Sequence, residues 1–357
     1  MTGSATAPTA SNAAHGRDAD LVASVLAEHA AATRELLFRY LPQGQPQRWL
    51  YDLLPDYPRR GGRGLRPSLC IATARAHGAS TEAALRTAVS IELMHNAMLI
   101  HDDIEDESEQ RRGQPALHVR EGLAIALNVG DMLSLVSMRP LLDNRHSLGP
   151  QAALQILEET ERMARESAEG QALELGWRRD NVADVSEADY LEMVLKKTCW
   201  LATIHPSRVG ALIGGRPAVQ LDSLIRFGFF LGAAFQIQDD LLNLEGDAQA
   251  YGKELAGDIR EGKRTLMLIR LAEQATPDER QRLTAFLGLP RAARSDADVA
   301  WVRQRMAHHG CIDQARQVAH GLAGAARHEF DQVYRHLPDS RDKRFIAALP
   351  AWAIERS

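Results

Sequence analysis

The chain has 357 residues, which is enough for one large domain or two ordinary ones. Its apolar fraction of 45% and charged fraction of 25% are those of a globular protein, and its formal net charge of -5 argues against nucleic acid as the main partner. Three widely spaced cysteines, Cys70, Cys199 and Cys311, argue against a disulfide framework or a zinc site and favour reduced thiols.

The first stretch of the chain, residues 1–18, is rich in Ala, Thr, Ser and Gly and has no apolar periodicity. This composition predicts a disordered tail. We find neither a basic and apolar leader nor an apolar run long enough to cross a bilayer, so we expect a cytoplasmic protein without an integral membrane segment.

Beyond the tail, apolar residues recur at helical spacing. The clearest predicted helices span residues 20–40, 81–104 and 219–244. Strand patterns are sparse, and the turn-rich breaks in the chain do not look like interdomain linkers. The pattern predicts a single all-α domain over residues 19–357, with roughly ten or more long helices.

The second of these helices runs into a dense acidic cluster, with the sequence LIHDDIED at residues 99–106. Asp102 and Asp106 are four residues apart and project from one face of a helix, while Asp103 lies about 100° around it. A charge run is usually a solvated face. This one closes an apolar stretch where burial is expected, so its carboxylates need a counter-charge, and Mg²⁺ is the ion that often bridges carboxylates to phosphates.

A second acidic pair, Asp239 and Asp240, closes another apolar helix in the sequence FQIQDDLLN. The position four beyond Asp239 is Asn243 and not a third carboxylate. Either cluster alone is a weak signal. Two clusters that face each other across a helical bundle could hold several Mg²⁺ ions around a diphosphate.

Cations that could balance diphosphates occur in four other stretches. Singly, each is most simply an ordinary surface residue. Jointly they supply donors for two diphosphates, one bound through metal and one held by side chains. They are Arg63 and Arg66 in GGRGLRP, Arg111 and Arg112 in RRGQPALH, Lys196 and Lys197 in LKKTCW, and Lys253 and Lys263 in YGKELAGDIREGKRT.

Taken in chain order, these stretches resemble the trans-prenyltransferases, or isoprenyl diphosphate synthases. The matching segments run from residue 61 to residue 265 and comprise GGRGLRP, ELMHNAMLIHDDIED, RRGQPALH, NVGD, KKT, FQIQDD and GDIREGKRT. The combination HN…DDIED…RRGQ is most similar to the geranylgeranyl diphosphate synthases. The resemblance implies an all-α isoprenoid-synthase bundle of helices around a central cavity, a Mg²⁺-dependent reaction and a homodimer.

The resemblance also implies roles for individual residues. The expected metal ligands are Asp102, Asp103, Asp106 and Asp239, and the expected catalytic set adds Asp240 and Lys197. The residues expected to bind the allylic diphosphate are Arg111, Lys197, Thr198, Gln236, Lys253 and Lys263. The residues expected to bind isopentenyl diphosphate are Arg63, Arg66, His95 and Arg112.

Two positions depart from the family's pattern. The usual Gly-Gly-Lys-Arg start reads Gly61-Gly62-Arg63-Gly64, so Arg63 keeps a cation but with a different reach. Asn243 stands where the second motif ends in an aspartate. Because asparagine can still bind a metal-linked water, this departure bears on metal affinity more than on activity.

Ala97 and Met98 precede Asp102 by about one helical turn, at the expected floor of the pocket for the growing chain. Bulky aromatic residues there stop growth at fifteen carbons in the resembled family, whereas Ala97 leaves room and Met98 is flexible. We therefore expect isopentenyl diphosphate and an allylic diphosphate to give geranylgeranyl diphosphate, with a longer trans-polyprenyl diphosphate as the nearest alternative.

Three other classes are possible on the same fold. A terpene cyclase would not need the second diphosphate site, so the cations assigned to isopentenyl diphosphate argue against it. A non-standard prenyl-coupling enzyme stays open. Intact aspartate motifs argue against an inactive subunit that only binds a partner synthase.

Overall fold

The computed structural model describes residues 10–215, 221–246 and 255–356. Over these ranges the chain is mostly helical, and the predicted all-α fold is confirmed. The strands of the described part are two short segments, β1 (Gln110–Arg111) and β2 (Gln114–Pro115), which pair antiparallel just after the first acidic cluster.

The described helices follow one another through mostly short connections. They are α1 (Ala10–Tyr40), α2 (Asp56–Arg59), α3 (Leu65–Ala76), α4 (Thr81–Glu105), α5 (Leu117–Glu121), α6 (Leu123–Ser147), α7 (Pro150–Arg179), α8 (Glu187–Val194), α9 (His205–Ile213), α10 (Ser223–Glu245), α11 (Gly257–Glu261), α12 (Leu266–Gln274), α13 (Pro277–Leu287), α14 (Asp296–His308), α15 (Cys311–Val333) and α16 (Arg341–Glu355). Two π-helical segments (Gln47–Tyr51 and Leu195–Ile204) and a 3₁₀ turn (Arg291–Ala293) complete the described set.

Helix α4 lies inside the bundle, between α3 and α6. It begins at the N-cap Ser80, whose hydroxyl accepts a hydrogen bond from the backbone N–H of Ala83 at 3.3 Å. Its buried positions lie on every side of the helix, which is the pattern of a core helix. The acidic end of α4 is therefore carried into the interior and not onto a solvated face.

A second long helical run is formed by α8, the π-helical segment Leu195–Ile204 and α9. A capping box of Ser186 and Asp189 begins it. The π-helical segment packs between α7 and α10 and contains Lys197 and Thr198. π turns occur frequently at functional sites, and this segment contains two residues that are expected to bind the allylic diphosphate.

Gly170 is the point at which α7 touches the π-helical segment. A Cβ atom there would lie 2.7 Å from Cα of Lys197 and closer still to its backbone nitrogen. Backbone atoms cannot move aside as a side chain can. We therefore expect Gly170→Ala to lower the free energy of unfolding by about 1–3 kcal/mol, the usual cost of overpacking.

Gly176→Ala, on the same helix, is the matched control, because nothing lies within 4 Å of a Cβ atom at that position. Relief of the helical glycine's entropy cost should stabilise this variant by roughly 0.5–1 kcal/mol. Urea unfolding measures both variants. Equal stabilities would contradict the close contact at Gly170.

The predicted tail and the predicted domain boundary both lie near the start of the chain. Residues 1–9 lie outside the described residues and α1 begins at Ala10, so the tail over residues 1–18 and the domain over residues 19–357 stay predictions.

Helix α6 is long and apolar enough to cross a bilayer by length and composition, which departs from the sequence-based expectation that no apolar run is that long. This is weak evidence for a membrane span, because a core helix of a soluble protein has the same properties.

Candidate active site

A cavity of about 590 Å³ opens between the helices. Charged side chains from α4, the π-helical segment, α10 and several connecting segments line it, together with apolar residues of α4, α7 and α8. Of the residues assigned to sites from the sequence, those that line it are Arg63, Arg66, His95, Met98, Asp102, Arg111, Arg112, Lys197, Thr198, Gln236, Asp239, Asp240 and Lys263. Lys253 lies outside the described residues.

Asp102 lines the cavity and is balanced by two cations. Its carboxylate lies 3.1 Å from Nη2 of Arg111 and 3.4 Å from Nζ of Lys197. Lys197 in turn lies 2.9 Å from the buried carboxylate of Glu174 on α7. The two cations are thereby held beside Asp102 in the cavity lining, where they could bind an anion that enters the cavity.

Asp103 differs from its expected role as a metal ligand. It is fully buried and does not line the cavity. Its oxygens accept hydrogen bonds from Nε of Arg111, at 2.8 and 3.1 Å, and from the hydroxyl of Tyr57, at 2.5 Å. Burial alone would lower the pKa of Arg111, but the carboxylate of Asp103 raises it. Asp103 lies about 100° around α4 from Asp102, and its contacts with Tyr57 and Arg111 hold it away from the cavity lining.

Asp106 is also buried and turned from the cavity lining, although it lies on the Asp102 face of α4. Its Oδ1 is 2.5 Å from Nη1 of Arg178, and its Oδ2 is 2.6 Å from Nζ of Lys263. Burial alone would raise the pKa of Asp106, but these neighbouring cations hold it below its ordinary value. A metal ion could bind this carboxylate only if the cations yielded their places.

The second acidic pair lies on α10, across the cavity. Asp239 is 38% exposed in its side chain and lies 3.2 Å from Nη1 of Arg356. Asp240 is buried and accepts hydrogen bonds from the Tyr190 hydroxyl at 2.9 Å and from Nε2 of Gln236 at 2.8 Å. Burial raises the pKa of Asp240 well above its ordinary value, and the nearby carboxylates of Asp258 and Asp239 add to this effect.

The residues assigned to the allylic diphosphate make two sets of polar contacts. The Thr198 hydroxyl donates to Oε1 of Gln236 at 2.9 Å, and Gln236 donates to Asp240. Lys263 lies 2.8 Å from Glu261 and 2.6 Å from Asp106. One set thus holds the second acidic pair, and the other holds the end of the first acidic cluster.

The residues assigned to isopentenyl diphosphate lie together at a separate part of the wall. Burial and the charge of Arg66 lower the pKa of His95 to about 4, so its imidazole is neutral at pH 7. Burial lowers the pKa of Arg66 to about 10, so its guanidinium remains charged. Nε of Arg66 is buried without a hydrogen-bond partner, whereas Nδ1 of His95 lies 3.8 Å from the carboxylate of Glu92. A buried guanidinium N–H without a partner suits an anionic ligand.

The apolar part of the cavity bears on the expected floor. Met98 lines it, as do Ala164 and Ala168 of α7. Ala97 does not line it: this residue is fully buried in the apolar cluster that includes Leu133 of α6. The assignment of Ala97 to the pocket floor stays a prediction, and Met98 is the residue of the pair that lines the cavity, since one residue along a helix rotates the side chain by about 100°.

The sequence analysis did not identify several charged or polar residues of the site. Glu92 lies one turn before His95 on α4, and its carboxylate among cations could have been suspected from its place in an apolar helix. The others come from segments far from the acidic motifs, and no local pattern marks them. They are Glu174, Arg178, Tyr190, Asp258 and Arg356.

The carboxylates that line the cavity suit Mg²⁺ bound together with a diphosphate. Within the described ranges, no group of three or more His, Cys, Asp or Glu side chains is arranged to hold a metal ion. Mg²⁺ is commonly bound by one or two carboxylates together with substrate phosphates, so a preformed cage is not required. Asp102 and Asp239 line the cavity. The carboxylates of Asp258 and Asp239 repel that of Asp240, and a bound cation would offset this repulsion. The residues present fit this mode of binding.

Comparison with known proteins gives consistent matches. The profile of the polyprenyl synthetase family matches residues 47–306. The geranylgeranyl pyrophosphate synthase of Geoglobus acetivorans is 30% identical over 337 residues, which cover 94% of this chain and 99% of that protein.

Two solved structures extend the comparison. The geranylgeranyl pyrophosphate synthetase of Pyrococcus horikoshii superimposes with a TM-score of 0.82 at 31% identity and covers 95% of this chain and 99% of its own. A decaprenyl diphosphate synthase from Rhodobacter capsulatus gives 0.81 at 30% identity, with 96% and 99% covered.

Proposed function

Because the chain belongs to the polyprenyl synthetase family, we propose that it condenses isopentenyl diphosphate with an allylic diphosphate to give a trans-polyprenyl diphosphate and free diphosphate. The predicted enzyme class, a trans-prenyltransferase, is confirmed by this membership. The observation that carries the proposal is a single cavity with two sets of cations. One set lies among the aspartates, and the other, which includes Arg66 and Arg112, lies beside the buried His95.

The mechanism follows from this distribution of charge. Bound Mg²⁺ would supply Lewis-acid stabilisation of the departing diphosphate. Asp102 and Asp239 would hold it. Lys197 and Arg111, already gathered at Asp102, would donate to the same diphosphate as its charge develops.

Other residues of the cavity lining act on the formation of the new carbon–carbon bond. Met98 and the apolar positions around it exclude water from the allylic cation that forms when the carbon–oxygen bond breaks. Arg66 and Arg112 hold isopentenyl diphosphate so that its double bond can form the new carbon–carbon bond, with loss of a proton. A protein nucleophile has no part in this sequence.

We propose geranylgeranyl diphosphate as the product. The apolar part of the lining supports a chain beyond fifteen carbons, because Met98 is flexible and the lining residues Ala164 and Ala168 are small. A longer product is the second candidate, favoured by the similarity to a decaprenyl diphosphate synthase over nearly the whole chain.

The test is direct: purified protein is incubated with Mg²⁺, isopentenyl diphosphate and, in turn, dimethylallyl, geranyl or farnesyl diphosphate, and products are sized by chromatography. A twenty-carbon diphosphate is expected. Longer diphosphates would select the second candidate. A cyclised hydrocarbon formed without isopentenyl diphosphate would contradict the proposal.

Variants at Met98 probe the chain-length pocket. Met98→Phe places a rigid ring in the path of the growing chain and is expected to shorten the main product, while Met98→Ala is expected to lengthen it. Met94→Ala is the matched control, since Met94 is buried one turn earlier on α4 and does not line the cavity. The same product lengths from both Met98 variants would show that the chain runs elsewhere.

We also propose a cytoplasmic homodimer that pairs through α6. The outer face of this helix exposes large apolar side chains, with Leu123 60%, Leu135 70% and Leu142 50% exposed. A second copy would cover this face and remove it from water, which accounts for an apolar helix at the surface. Sedimentation equilibrium tests the mass, and a monomer at micromolar concentration would contradict the pairing.

A further inference from the structure

Arg178 carries a charge that the proposed reaction has not used. It lies near the end of α7, outside every sequence motif, and its side chain is 15% exposed. Its Nη1 is 2.5 Å from Oδ1 of Asp106, a carboxylate that is 1% exposed. Lys263 takes the other oxygen of Asp106 at 2.6 Å. Both oxygens of this expected metal ligand are therefore occupied by protein cations.

Besides Asp106, two carboxylates, Glu174 and Glu261, act on the charge of Arg178. Glu174, one turn earlier on α7, accepts a hydrogen bond from Lys197 at 2.9 Å, and Glu261 lies 2.8 Å from Lys263. These carboxylates already have their own lysines. If Arg178 left Asp106 with no anion to receive it, a charge would be stranded in a largely buried position, which is strongly unfavourable.

A divalent cation and the Arg178 guanidinium cannot share Oδ1 of Asp106, since like charges repel strongly away from bulk water. A metal ion alone would have to expel the guanidinium from its ion pair with Asp106, with only the lysine-paired Glu174 and Glu261 as other carboxylates acting on it. A diphosphate that arrives with the metal ion changes this, because its oxygens match the planar fork of arginine.

We propose that Arg178 is a further residue of the diphosphate site, which couples metal binding to diphosphate binding. Without diphosphate it holds Asp106 and keeps metal ions out. When diphosphate binds, Arg178 transfers to it and releases Asp106 for the metal ion. This inference rests on the proposed function and deepens it, since it names the residue that makes the two ligands enter together.

The experiment measures metal binding and not turnover. Mn²⁺ is titrated into the protein and free Mn²⁺ is followed by electron paramagnetic resonance, with and without inorganic diphosphate. For the wild type we expect diphosphate to tighten Mn²⁺ binding by about tenfold or more, a typical coupling between two ligands. In Arg178→Gln we expect Mn²⁺ to bind without diphosphate about tenfold more tightly than in the wild type, and the coupling to fall to about threefold or less.

Arg179→Gln is the matched control. This neighbouring arginine is 79% exposed and pairs with Asp180, so its loss should leave the coupling as in the wild type. Arg178→Lys keeps a cation on Asp106 and should still exclude Mn²⁺ from the diphosphate-free protein. It also keeps the test valid should the glutamine variant fail to fold.

The outcomes separate the two proposals. Wild-type coupling retained in Arg178→Gln, or a lysine variant that binds Mn²⁺ as freely as an uncharged one, would overturn the role of Arg178 alone. A wild-type protein that binds neither Mn²⁺ nor diphosphate would overturn the proposed function.

Discussion

Asp239→Ala is expected to lower kcat by at least about a hundred- to a thousandfold, because it removes a charge that acts on the departing diphosphate in the transition state. Asp239 lines the cavity and is partly exposed, so its loss should cost little stability. Its partner Arg356 keeps a hydrogen bond to the carbonyl oxygen of Phe235 at 2.7 Å.

The measurement is steady-state turnover with both substrates saturating, together with a circular dichroism spectrum to verify folding. Asp313→Ala is a suitable control, because this aspartate is exposed and its ion pair with Arg316 is on α15. A turnover within threefold of the wild type in Asp239→Ala would remove this residue from the metal site.

Asp103→Asn is expected to act mainly on stability, with a loss of about 3–5 kcal/mol in the free energy of unfolding, as for a buried ion pair that loses one partner. Asp103 is fully buried, and the guanidinium of Arg111 that it binds is itself buried. Asparagine keeps the shape of the side chain but leaves Arg111 with Asp102 as its remaining carboxylate partner.

Asp102→Asn is the comparison, one position earlier on the same helix. Its side chain is 21% exposed and lines the cavity, so the change should lower turnover strongly and stability much less. Urea unfolding and turnover on both variants give the contrast. Equal losses of stability would contradict the division between a buried support and a cavity-facing ligand.

The features that the sequence predicts best are those set by local rules. Two aspartate pairs at the ends of apolar helices indicate a charged site inside a bundle, because helical spacing and the cost of burying charge are both readable along the chain. In the structure, Asp102 and Asp239 line one cavity, as this reasoning requires.

The features that cannot be predicted from the sequence depend on contacts between distant segments. Whether Asp103 faces the cavity is decided by Tyr57, which lies 46 residues away, and by the hairpin that carries Arg111. The counter-charge on Asp106 comes from Arg178, 72 residues away in the chain. Spacing within a helix also leaves the rotation of Ala97 undetermined until α6 is packed against it.

The most direct measurement is the formation of a chain-extended diphosphate from farnesyl and isopentenyl diphosphates, with Mg²⁺, after its removal by a chelator, and after its return. We expect product only when both substrates and Mg²⁺ are present, and full recovery when the metal is restored. Product formed at an undiminished rate in the chelator, or farnesyl diphosphate consumed equally fast without isopentenyl diphosphate, would contradict a metal-dependent condensation in this cavity.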